Sequence, residues 1–157
     1  MLMIVMAMFL AQAAPPPALL AGTWAFDASA SDDPGPMMAK LGVPSFLASA
    51  ADTSTQVISI DGSRLTVTVD GVLGHHVEEI DLDASPILTG TLLTYTYTVR
   101  PVVSGDAVIS TGTIRIGEQS QVFVSKRSVS ATTMTVETTI GSGKEATTFR
   151  RVFRRKT

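Results

Sequence analysis

The sequence predicts an all-β domain, an up-and-down antiparallel β-barrel of nine to ten strands with a helix-turn-helix lid after the first strand. Three observations predict it. From residue 55 onward apolar residues alternate with Thr, Ser or charged residues, the period of two that belongs to strands. The breaks in that alternation carry turn chemistry: Gly71, Gly74, Pro86, Gly90, Pro101, Gly105, Gly117, Gly141 and Gly143. A single stretch after the N-terminus, residues 31–52, reads as helix, and it lies between the first strand and the long run of strands. Closing such a sheet on itself removes unpaired edges and gives every strand an inside and an outside.

Taken in order, the chain opens on an unbroken apolar run, Met1 to Ala11, too short for a membrane span of about 20 residues. Ala11-Gln12-Ala13 follows it, the A-x-A pattern of a secretory cleavage site, although no Lys or Arg precedes the run. The expectation is a signal peptide over 1–13, a Pro/Ala-rich spacer over 14–19 and one domain over 20–157. The protein is then exported, periplasmic or secreted; without a functional signal it is cytoplasmic. Leu20 to Asp27 reads as the first strand, with Trp24 and Phe26 on one face.

The lid spans residues 33–51. Asp33 suits a helix cap, with Pro34 at the first position, where a missing N–H costs nothing. Met37, Met38 and Leu41 make the apolar face, and Gly42 suits the left-handed position that ends the helix. Pro44 starts a second short helix with Phe46, Leu47, Ala50 and Ala51 apolar. Helices of about two turns are not stable alone, so both must lie on something. Further strands read as 56–60, 64–70, 75–82, 87–89, 92–99, 107–116, 121–129, 132–140 and 145–155. Alternation by itself does not say which face is inside.

Composition bounds the function. With 45% hydrophobic and 17% charged residues the chain is globular, and its net charge of −2 provides no general field for nucleic acid. The absence of cysteine excludes disulfides, thiolate metal sites and cysteine nucleophiles. No nucleophile elbow appears, and Gly141-Ser142-Gly143-Lys144 lacks the flanking residues of a phosphate loop. No enzymatic activity, cofactor or metal is expected.

Gly22-Thr23-Trp24, then MMAKLGVPSFLASAAD, then a meander of hairpins resembles the fatty-acid-binding-protein branch of the calycin barrels. In that family the first strand opens with G-T-W and the helical pair joins around an L-G-V-like turn, matched by Leu41-Gly42-Val43. Lipocalins also begin with G-x-W but carry a large loop where this chain has helices. The family's last strand carries an R-x-Y motif that binds a ligand carboxylate. Arg151-Val152-Phe153 occupies that place, with Phe153 standing where the Tyr would be, and Arg127 matches the partner Arg. The resemblance implies a lipid-binding barrel, a monomer that carries a fatty acid or similar small amphipathic ligand. The family is typically cytosolic, so a signal peptide implies an exported, bacterial relative.

Phe149, Arg151 and Phe153 share one face of the last strand. If that face is inside, Arg151 is a buried guanidinium that needs an anion, either a ligand carboxylate or an internal acid. Met37 and Phe46 are candidates for the portal, or for plain lid packing. Arg150, Arg154, Arg155 and Lys156 read as a solvated face, or as a weak contact with anionic membrane. Two alternatives to a lipid carrier stand. Tyr95, Tyr97, Phe123, Phe149 and Phe153 can fill the interior of a structural barrel, and His75 or His76 can ligate haem, as in nitrobindin-like calycins.

Overall fold

The computed structural model describes residues 17–44, 54–71, 74–83, 87–92 and 95–157. The expected signal peptide, the second lid helix and Phe46 lie outside the described residues. Ten antiparallel strands form one sheet: β1 (Gly22–Phe26), β2 (Thr55–Asp61), β3 (Arg64–Gly71), β4 (Gly74–Asp81), β5 (Leu88–Leu92), β6 (Tyr95–Ser104), β7 (Ala107–Ile116), β8 (Gln119–Ser130), β9 (Thr133–Ile140) and β10 (Thr147–Arg155). The order is β4-β3-β2-β1-β10-β9-β8-β7-β6-β5. Sequential neighbours pair except β4 with β5, β1 pairs with β10, and among the described residues the barrel is closed except between β4 and β5.

Two of the differences from the sequence reading have a clear physical reason. The first strand starts at Gly22, because Ala18–Leu20 forms a 3₁₀ turn whose Leu20 is fully buried. Pro101, expected as a break, lies inside β6 opposite Ser110. The β5 strand begins at Leu88, opposite Val99, so among the described residues Pro101 is paired with β7 alone, and proline is tolerated there as on an edge.

Helix α1 (Gly35–Lys40) follows the first strand. Asp33 Oδ1 accepts the Gly35 N–H at 2.9 Å. At the other end Val43 N–H donates to Met38 O and Gly42 N–H to Ala39 O, the paired bonds of a Schellman motif. That motif needs a left-handed residue, and Gly42 supplies it at φ 66°. Before the helix, Asp27 and Asp32 N–H groups donate to Val152 O and Arg150 O, and Ser31 Oγ and Asp32 Oδ2 accept from β10 in return. This stitching carries the chain from β1 up to the lid.

The interior holds two apolar clusters. One closes the lower end: Leu20, Trp24, Val129, Met134 and Phe153, with Phe26 edge-on to Phe153 at 5.6 Å. Trp24 Nε1 donates to Leu20 O at 2.8 Å. The Arg155 guanidinium lies 4.2 Å from the Trp24 ring and donates to Ala21 O, and a Cβ on Gly22 would stand 2.5 Å from its Nη1. Glycine next to the Trp is therefore needed for this close approach. The other cluster joins Met37 and Leu41 of α1 to Tyr97, Ile114, Phe123, Ile140 and Phe149 at the upper rim.

Arg155 is thus part of the barrel's closure, not of a solvated face. Arg154 pairs with Asp27 at 2.8 Å, and Asp27 also accepts from Ser29, which with Arg154 pulls its carboxyl down to about 2. A depressed carboxyl stabilises the fold above its ordinary value of 3.8 and loses that contribution as pH falls through about 2. Asp27→Asn is expected to flatten the stability profile between those two values. Urea melts of both proteins across that window check this, and parallel slopes would refute it.

Candidate functional site

Between the two clusters lies a cavity of about 420 Å³, within the range of small-ligand sites. The strand registers stack its wall and the cluster above it in rows. Val108 on β7, Arg127 on β8, Val136 on β9 and Arg151 on β10 stand side by side. One row nearer α1 come Ser110, Ser125, Thr138 and Phe149. Above that, Gly112, Phe123 and Ile140 belong to the upper rim. Gln56, Val69 and His76 stand opposite one another across β2, β3 and β4 on the far wall, with Glu78 two residues along β4.

Arg127 and Arg151 both face this cavity, flanking Val136. Arg127 Nη2 reaches across the barrel to Gln56 Oε1 at 3.4 Å. The Arg151 Cζ lies 5.9 Å from the Phe153 ring. The Nε of each is buried without a hydrogen-bond partner. Burial, and secondarily the like charge of Arg127, pushes Arg151 down to about 10. Arg127 is also lowered by burial, while Glu78 and Tyr97 oppose the shift. A guanidinium keeps its proton in proteins, and two such groups with unfilled donors in a walled cavity attract an anion.

The other sequence candidates lie elsewhere. Phe153 is fully buried in the lower cluster, and Phe149 and Met37 pack in the upper one; none of the three lines the cavity. Tyr97 does line it, stacked on Phe123 at 5.5 Å, its phenol raised to about 12 chiefly by burial. The aromatic residues therefore fill the two ends of the barrel and leave its middle open. His76 faces the cavity, whereas His75 also pairs with Asp70 at 2.6 Å on the surface. No group of three or more His, Asp or Glu able to hold a metal occurs among the described residues.

Sequence reasoning missed Ser54, Gln56, Glu78, Ser110, Ser125 and Thr138, which also line the cavity. Parity was the available signal: Ser125 lies two residues from Arg127, and Glu78 shares its strand face with buried Ile80. Ser54, Gly71 and Gly74 rim the cavity where β2 begins and the β3–β4 hairpin turns. A smaller recess of about 140 Å³ occupies the β4–β5 gap, sharing His76, Glu78 and Tyr97 with the main cavity.

The architecture, ten strands with one lateral gap among the described residues and a short helix after the first strand, is the fold seen in fatty-acid-binding proteins. Solved structures agree. The fatty-acid-binding protein of Schistosoma mansoni, solved with arachidonic acid, aligns with a TM-score of 0.74 at 16% identity, over 91% of this chain and 100% of that one. Lipid binding protein 8 of Caenorhabditis elegans aligns at 0.72 and 16%, over 88% of this chain and 96% of that one. The REP1-NXSQ fatty acid transporter aligns at 0.71 and 18%, also over 88% and 96%. At these identities the likeness is one of fold. No family model matches the chain, and no curated protein sequence matches it.

Proposed function

We propose that the protein is a non-enzymatic carrier that binds a fatty acid or similar amphipathic carboxylate inside the barrel. The observation that carries this reading is the pair of guanidinium groups, Arg127 and Arg151, facing one cavity with both Nε atoms unpartnered. A carboxylate would take those donors, with Arg151 the principal ligand because Arg127 is already shared with Gln56. Val69, Val99, Val108, Val136 and Phe123 would solvate the chain. Each buried methylene contributes about 0.8 kcal/mol, so affinity follows chain length while the arginines set orientation. Phe153 cannot donate a hydrogen bond, so no donor from that position joins the arginines. The apolar run and A-x-A pattern at residues 1–13 support export, and a monomeric carrier fits the closed barrel.

Delipidated protein titrated with saturated acids of increasing length, and separately with haemin, tests the reading. Affinity that rises with length up to a cutoff is expected. A Soret shift abolished by His76→Ala, with no response to any acid, would replace it with haem binding. Silence toward both would leave a structural barrel.

A further inference from the structure

The wall beside the two arginines is not that of a plain acyl tunnel. Ser110, Ser125 and Thr138 lie directly opposite one another on β7, β8 and β9, and all three line the cavity. Ser110 and Thr138 are each only 9% exposed. No hydrogen bond engages any of the three hydroxyls among the described residues. They stand two residues along their strands from the row of Arg127 and Arg151, about 7 Å toward the lid.

Alternation dictates that every second residue of these strands faces inward, and Val, Ile or Leu at those positions would serve an alkyl chain. Three adjacent inward hydroxyls do the reverse. An alkyl segment laid over them removes their water and returns nothing, which penalises binding. A ligand oxygen at the same place restores the lost bonds. A site built to hydrogen-bond a substrate oxygen discriminates against the analogue without it far more strongly than an apolar pocket rejects a small change. Val69, Val99 and Phe123, which line the same cavity, leave apolar wall for the rest of the ligand.

Resting on the carboxylate reading above, we infer that the cavity selects an oxygenated amphipathic carboxylate, one whose hydroxyl or carbonyl oxygen, further along the chain than its head-group, lies against the Ser110–Ser125–Thr138 row. The arginines fix the head, and the hydroxyl row measures the distance to the second oxygen. Binding is then selective for where the chain is oxygenated, not only for how long it is.

The test uses the full, delipidated chain with palmitate and a positional series of monohydroxy palmitates, followed by calorimetry. The isomer whose hydroxyl reaches the row is expected to bind about tenfold tighter than palmitate, with isomers on either side weaker. In Ser110→Ala/Ser125→Ala/Thr138→Val that preference is expected to vanish while palmitate itself tightens. Thr138→Val alone, nearly isosteric, reports the same change in part if the triple variant folds poorly. Palmitate binding with no isomer preferred, or a preference untouched in the variants, overturns this inference and leaves the carboxylate reading intact. Failure of every acid to bind overturns both.

Discussion

Arg151→Met is expected to weaken binding of a long-chain carboxylate about 10- to 100-fold, the worth of one charge-assisted hydrogen-bonding group. The same substitution is expected to stabilise the empty protein by about 1–2 kcal/mol. The two effects have opposite signs for one physical reason. Arg151 is held inside the barrel with its Nε unpartnered, and no carboxylate pairs with it among the described residues. Its charge is therefore a cost in the empty state that only a ligand offsets. Methionine removes the charge and keeps an unbranched apolar stem. If Arg151 instead served the fold through an internal acid, the change would cost about 3–5 kcal/mol. Thermal melts with and without ligand distinguish these outcomes: a lower melting temperature for the empty variant would exclude a ligand-binding role for this group. Arg127→Met should weaken binding less and stabilise less, because it strands buried Gln56 Oε1.

Gly112→Ala is expected to cost about 3 kcal/mol or more and to lower the melting temperature by roughly 10 °C. A Cβ at this position would stand 1.9 Å from Thr98 O and 2.7 Å from Val99 Cα. Both are main-chain atoms of β6, so relief requires that β6 and β7 separate and lose ladder bonds. Gly90→Ala also makes a close contact, at 2.3 Å from the Tyr97 hydroxyl oxygen, but there a side chain can swing away. Gly105→Ala meets open space and pays only for its left-handed backbone, about 1 kcal/mol. A scan that found Gly105 more sensitive than Gly112 would contradict the packing described here. Because Gly112 stands beside Phe123 and one row above Ser110, its variant should also disturb the cavity.

Much of this was legible in the chain. The period of two and the turn glycines marked out nine to ten strands, since inward and outward positions along a closed sheet need no information from distant residues. Met37, Met38, Leu41 and Gly42 announced α1 and its end, because capping and amphipathicity are local. Pro101 was misread for the same reason: proline in a strand is judged by whether a neighbour needs its N–H, and which strands pair with β6 at that point is a matter of where β5 begins.

What only the tertiary structure decided was the inside. Phe149, Arg151 and Phe153 share a face, but that face points inward because β10 closes against β1 and β9. The same closure puts Phe153 under Phe26 and not under a ligand, and sets Arg155 over Trp24. The cavity wall is assembled from single residues of many strands, such as Gln56, Glu78, Ser125 and Arg151, separated by up to ninety-five positions. Each is unremarkable beside its sequence neighbours. Their chemistry arises only when strand register sets guanidiniums with free Nε donors and hydroxyls around one space, and register is a property of paired strands, not of any one of them.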